Sequence, residues 1–171
     1  WQREDKNYYI TLITDAYSHK IVGYHVDESL ETMGSIQALR MALLCLKGPT
    51  CHPGLVHHSD RGVQYCSSEY VKLLEKDKVK ISMTTSGDPL ENAVAERING
   101  IVKNEYLFDY QVGSLQEAKQ ALQKVVSLYN NHRPHMSIGN HSPAQVHDAV
   151  TSFEIRKLWK NYYQENLVLV N

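Results

Sequence analysis

Two carboxylates in this chain are spaced for shared chemistry. Asp60 and Glu96 are separated by thirty-five residues. Asp60 lies in His57-His58-Ser59-Asp60-Arg61-Gly62, directly after the short apolar run Gly54-Leu55-Val56, which reads as a buried strand ending in a polar turn. Glu96 lies in Asn92-Ala93-Val94-Ala95-Glu96-Arg97, where Asn92 follows a Gly-Asp-Pro loop and can cap a helix carrying Glu96 in its first turns. Between them a helix (68–76), a strand (79–83) and a loop make one crossover, so the chain returns beside its starting strand. A strand-end carboxylate and a helix-borne carboxylate then converge, within roughly 4 to 8 Å if both reach ions about 4 Å apart. Paired carboxylates with few other obligatory ligands suit Mg²⁺ or Mn²⁺, which keep several waters and accept phosphate oxygens. The chemistry implied is phosphoryl transfer.

Each of these residues also has a plainer reading. Asp60 alone is a turn residue accepting backbone hydrogen bonds, and Glu96 alone is an exposed helix charge. His57 and His58 suggest zinc at first sight, but adjacent strand residues point to opposite faces, which favours supporting roles. Lys103 follows Glu96 by seven residues, about two helical turns or roughly 10 Å along the axis on nearly the same face. It is a solvated lysine or a phosphate ligand. Arg133-Pro134-His135 ends a helix, and its basic groups are also placed to touch a polyanion.

The elements that must position these groups follow from periodicity and punctuation. The charged run Arg3 to Asn7 reads as a solvated hairpin tip. Residues 8–14 and 20–27 alternate and are rich in Tyr, Ile, Thr and Val, which predicts an antiparallel hairpin. Leu30 to Leu46 carries Met33, Ile36, Leu39, Leu43 and Leu46 at helical spacing and reads as a core-facing helix. Gly48-Pro49 and Pro53-Gly54 separate it from the strand that delivers Asp60. The helix of Glu96 extends to about Tyr106 with Val94, Ile98, Ile101 and Val102 as its apolar face. Ser114-Leu115-Gln116-Glu117 is a capping box opening a helix through Ala121, Leu122, Val125 and Leu128 to Asn130. Ser142-Pro143 opens a last short helix. This order predicts an α/β fold with a mixed sheet.

At 171 residues the chain suits one domain with a single well-filled core. Apolar residues make up 42% and charged residues 22%, an ordinary globular balance. The net charge of −1 gives no sign of a nucleic-acid partner and excludes none, since an acidic metal centre offsets basic residues elsewhere. Cys45, Cys51 and Cys66 are odd in number and lack paired ligand spacing, against a disulfide framework or zinc site and consistent with a reduced cytoplasm. No stretch reads as a signal peptide or membrane span. The chain starts without Met and inside a strand, so an excised piece of a larger protein is expected.

Several ordered segments carry a resemblance: His57-His58-Ser59-Asp60-Arg61-Gly62-Val63-Gln64-Tyr65, Ser82-Met83, Glu91 to Arg97, Lys103-Asn104-Glu105, and Tyr129-Asn130-Asn131-His132-Arg133-Pro134-His135. Together they resemble the integrase catalytic core of bacterial insertion-sequence transposases of the DDE type, which is similar to retroviral integrase. The match covers all but the last twenty or so residues. It implies a ribonuclease H-like fold, a mixed five-stranded sheet flanked by helices with its first strand truncated. The core would be residues 1–150, with 151–171 a helical tail of the same domain. In that family two Asp and one Glu hold two Mg²⁺ or Mn²⁺ ions, and Asp60 and Glu96 match the second and third. The first Asp is expected on a strand in a Trp-x-x-Asp-x-Thr context, which this sequence lacks. Asp5 is a poor substitute, and Asp15, at a second-strand position, is the better-placed acidic candidate. The resemblance further implies DNA partners (transposon ends and target), contacts to DNA from Lys103, Arg133 and Asn92, a homo-oligomer when bound to DNA, and no membrane association. The expected activity is a polynucleotidyl transferase performing metal-dependent strand cleavage and strand transfer in transposition. The alternatives are a plain metal-dependent nuclease, or a catalytically inactive DNA-binding or assembly fragment.

Overall fold

The computed structural model describes residues 2–3, 6–45, 54–85 and 92–149. The chain opens with a two-rung antiparallel hairpin, β1 (Gln2–Arg3) on β2 (Lys6–Asn7), where the charged run predicts a tip. Strands β3 (Tyr9–Thr14) and β4 (Ile21–Asp27) then form the predicted antiparallel hairpin, with a register shift at Ile13/Thr14. Helix α1 (Thr32–Cys45) follows, then β5 (Val56–Ser59), α2 (Ser68–Lys76) and β6 (Lys80–Met83). β6 returns parallel to β5, with His58 opposite Ser82, so the crossover inferred from spacing is present. Helix α3 (Ala93–Ile101), a π-helical turn (Val102–Tyr106), α4 (Leu115–His132), a 3₁₀ turn (Met136–Ile138) and α5 (Pro143–His147) follow among the described residues.

Local chemistry sets the helix ends. The Ser67 side chain accepts the Tyr70 N–H to start α2, and Ser114 accepts the Glu117 N–H to start α4 at 3.2 Å. Glu117 does not return to Ser114 as a full capping box would; its Oε2 takes the Gly113 N–H instead. Ser142 and Gln145 make the reciprocal box at α5, with Pro143 at the first helical position.

Two apolar layers bury the hairpin on both faces. On one side α3 and α4 contribute Ile98, Ile101, Val102, Ala118, Leu122, Val125 and Tyr129 against Tyr8, Ile21 and Val26. On the other, Ile36, Leu39 and Leu43 of α1 pack with Tyr70 and Leu74 of α2, and Ile13 reaches them from β3. Each large side chain so buried contributes roughly 1.5–3 kcal/mol. Helix α1 lies close on β4 because residue 23 is glycine: a Cβ there would stand 2.2 Å from the Ala38 carbonyl oxygen.

Three expectations change. Met33, assigned to the core, is 47% exposed, because the inward stripe of α1 runs through Ser35/Ile36, Ala38/Leu39 and Ala42/Leu43 and leaves position 33 on the outer side. Leu128 is 40% exposed for the same reason of phase. The helix of Glu96 does not stay α-helical to Tyr106: Leu107 N–H bonds to the Val102 carbonyl at 3.1 Å, the five-residue spacing of a π turn. The strand pairing is of both kinds, as a mixed sheet requires, antiparallel in β1–β2 and β3–β4 and parallel in β5–β6. Among the described residues its ladders are two-stranded, and none joins β3 to β5. The expected tail over 151–171, together with Asp5, Leu46 and Cys51, lies outside the described residues. No helix among them is long and apolar enough to cross a membrane.

Candidate active site

Asp60 leaves the C-terminal end of β5 and is exposed. Its Oδ1 accepts the Gly62 N–H at 2.8 Å, and the turn closes with Tyr65 and Cys66 N–H groups on the Gly62 carbonyl. The space beside it is tight: a Cβ on residue 62 would lie 2.9 Å from Asp60 Oδ1 and 2.6 Å from Gln64 Nε2. The turn residue and the site candidate are therefore one residue, whose carboxylate is oriented by its own loop.

The two histidines before it diverge as strand geometry requires. His57 Nε2 meets the Tyr70 hydroxyl at 3.2 Å inside the α2 layer. Burial, with His58 alongside, pushes its pKa down to about 4, so it is neutral at neutral pH. His58 is exposed and its Nδ1 lies 2.9 Å from Ser82 Oγ across the parallel ladder. The pair divides between two supports and does not form a chelate.

Glu96 is exposed in the first turn of α3, on the side opposite Val94, Ile98 and Ile101. A carboxylate in that turn is favoured by the N-terminal end of the helix dipole. Asn92 stands at the N-cap position, but its side chain makes no capping hydrogen bond, which leaves its amide to other partners. Lys103 and Asn104 are exposed on the π turn.

Asp15 and Arg133 are each engaged by neighbouring side chains. Asp15 Oδ1 accepts both the N–H and the hydroxyl of Ser18 at 2.6 Å at the β3–β4 turn. Burial alone would raise its pKa, but His147, 3.9 Å away, and the Ser18 donors outweigh it and hold the carboxyl at about 2. Ser18 also meets His147 at 3.1 Å, and Lys20 bonds Asp148 at 2.8 Å, so this cluster ties α5 to the hairpin. Arg133, expected to contact DNA, has its Nε and Nη2 donating to the two oxygens of Glu105 at 2.8 Å each, with 21% of its side chain exposed.

Sequence reasoning also missed the anchors around Arg133. Asn130 pairs with both the N–H and the carbonyl of Ile21, at 2.9 and 3.0 Å, and Tyr129 donates to the His19 carbonyl at 3.0 Å. His19, at a left-handed φ of 64°, meets His135 edge-on, and His135 also abuts Tyr129. Burial, with Arg133 nearby, lowers the pKa of His135 to about 4. Their only signal in the sequence was the run of polar and aromatic residues from Tyr129 to His135, broken only by Pro134.

Among the described residues no three His, Cys, Asp or Glu side chains are grouped to hold an ion. Asp60 and Glu96 offer exposed carboxylate oxygens only, the donor type that Mg²⁺ and Mn²⁺ prefer over Zn²⁺ or copper. In kind, the two residues fit such an ion.

Comparison with known proteins agrees with this architecture. A family model described as Integrase core domain matches residues 2–89, and a second so described matches residues 77–143. An insertion element IS600 31 kDa protein of Shigella sonnei is 37% identical over 80% of the chain, covering 49% of that protein. The transposase for insertion sequence element IS629 from the same organism is 35% identical over 82% of the chain and 46% of its own length. The chain thus spans about half the length of the curated relatives it matches. Among solved structures, the HTLV-2 integrase catalytic core domain in complex with magnesium superposes with a TM-score of 0.64 at 21% identity, covering 86% of this chain and 89% of that one. A chain of the simian T-cell lymphotropic virus intasome gives 0.72 at 18% identity, covering 91% and 53%. These likenesses establish the ribonuclease H-like fold, and with the family match over more than half its length the chain belongs to the integrase core domain family.

Proposed function

We propose that this chain is the catalytic core of a DNA transposase, cutting and joining DNA strands in the longer protein of which its relatives are examples. The observation that carries the reading is the pair of exposed carboxylates delivered by two rigid elements. Asp60 is held by its turn at the end of a parallel strand, and Glu96 by the first turn of a helix seated on the core. Both would hold Mg²⁺ or Mn²⁺, with the carboxylates within roughly 4 to 8 Å of each other. When bound, such ions supply an activated oxygen nucleophile and stabilise the leaving oxygen of a phosphodiester.

The chain's own residues do the positioning. Gly62 and the Asp60 turn orient one carboxylate, α3 the other, and Lys103 places a neighbouring phosphate without reading sequence. The amide of Asn92, free of its cap, donates to a backbone phosphate. In this reading Asp15 is not the third carboxylate, because its Oδ1 is engaged by Ser18 at the hairpin turn. The partners are transposon ends and target DNA, bound by an assembly of several copies, and residues 1–150 form one catalytic domain.

The test is DNA cleavage and strand joining by the intact protein with Mg²⁺ or Mn²⁺. Asp60→Asn and Glu96→Gln should each lower both steps by about a thousandfold, several kcal/mol of lost stabilisation, with unchanged thermal unfolding. Cleavage persisting in either variant would refute the site, and cleavage without joining would identify a plain nuclease.

A further inference from the structure

The π turn after α3 explains why Arg133 is where it is. In a continuing α-helix the residues three and four positions after Val102 and Ile101 share their face, and that position is Glu105. Ile98, Ile101 and Val102 are all buried, so a regular helix would drive the Glu105 carboxylate into the apolar layer against α4. The wider turn admits one extra residue, so that Leu107 is buried at 4% exposure while Lys103, Asn104 and Glu105 all remain exposed in succession. Glu105 is then met by Arg133, which caps the C-terminal end of α4 and grips both carboxylate oxygens at 2.8 Å. The remaining donors of Arg133 lie 3.3 Å from the Pro134 carbonyl and 3.4 Å from the His135 ring. α4 is itself fixed to β4 by Asn130 and to the hairpin turn by Tyr129.

We infer that Arg133 is a positioning residue: by clamping Glu105 it pins the π turn against the end of α4 and thereby fixes where Lys103 stands on the helix that carries Glu96. The inference rests on the reading of Glu96 as a metal ligand and Lys103 as a phosphate ligand, and adds the device that holds them in register. A bidentate guanidinium on a helix cap suits this task, because its fork fixes direction as well as distance. Without it the end of the helix is free to shift on α4, which displaces Lys103 from the phosphate beside the one at Glu96. π turns placed inside helices at functional positions are a recurrent device.

The experiment compares Arg133→Ala, Arg133→Lys, Glu105→Gln and the exchanged pair Glu105→Arg/Arg133→Glu in the intact protein. Cleavage at saturating DNA, DNA affinity with its salt dependence, and thermal unfolding are measured for each. The single variants should lower the cleavage rate by about ten- to a hundredfold, the scale expected of an ångström-sized misplacement. Glu105→Gln, which removes no cation, should lower it as much as Arg133→Ala, and the exchanged pair should recover most of the loss. A salt slope that falls by about one for Arg133→Ala but not for Glu105→Gln would overturn the inference in favour of a direct phosphate contact. Lowered thermal stability with an unchanged cleavage rate would overturn it in favour of a purely structural pair. Glu96→Gln, run alongside, separates the two levels: if it keeps full activity the underlying site reading fails, whereas its loss of activity beside fully active Arg133 variants defeats the clamp alone.

Discussion

Replacing Gly62 by alanine tests whether the Asp60 turn is built to aim a carboxylate. The added Cβ would stand 2.9 Å from Asp60 Oδ1 and 2.6 Å from Gln64 Nε2, against the 3.4 Å or more of an ordinary contact. Both obstructing atoms are ends of side chains, so the backbone need not move. Gln64 swings aside at little cost, but Asp60 Oδ1 must retreat by about half an ångström and strain its 2.8 Å bond to the residue 62 N–H. The cost to folding should therefore stay within about 1 kcal/mol, the range of one weakened exposed hydrogen bond. The functional effect should be larger, since displacements of this size at a reacting centre cost about ten- to a hundredfold in rate. Thermal unfolding of the isolated chain and metal-dependent DNA cleavage by the intact protein read the two quantities separately. Wild-type cleavage would show that the Asp60 orientation is immaterial. Destabilisation beyond about 3 kcal/mol would show that the backbone, and not the carboxylate, yields to the methyl group.

Asn130→Ala should destabilise the chain by about 2–4 kcal/mol in urea unfolding, because it leaves both the N–H and the carbonyl of Ile21 unpaired beneath α4; a loss under 1 kcal/mol would mean that water reaches them. Gly100→Ala, where no atom lies within 4 Å of the new Cβ, should stabilise α3 by about 0.5–1 kcal/mol, seen as a higher urea midpoint. Asp15, held at about 2 against an ordinary 3.8, contributes stability that is full above about pH 4 and is lost as pH falls through about 2. With its side chain 32% exposed, that contribution is about 1 kcal/mol after screening, and an acid titration of Asp15→Asn should lack this part of the slope. Lys103→Ala in the intact protein should weaken binding to unrelated DNA sequences by a similar factor and lower the salt slope by about one, with unfolding unchanged; an unaltered slope would make it an ordinary solvated lysine.

What the sequence determined by itself was local and periodic. Tyr9 to Thr14 and Ile21 to Asp27 alternate because each hairpin face meets a different layer, and that alternation is written in the residues. Ser114 and Ser142 mark helix starts because capping involves neighbours two or three positions away. Asp60 at a strand end and Glu96 on a helix follow from the same local signals, and the crossover between them from chain length. The tertiary structure decided what distance in sequence conceals. Met33 and Leu128 sit outside because helix phase is set by the partner face and not by the apolar residue itself. Asp15 is committed to Ser18 and His147, and His147 lies far along the chain. Arg133 looks like a free cation until Glu105, twenty-eight residues earlier, is folded against it. The π turn is invisible to a periodicity argument because it is the place where period 3.6 fails, forced by burying Leu107 while Glu105 stays out to meet an arginine that only the packing of α4 brings near.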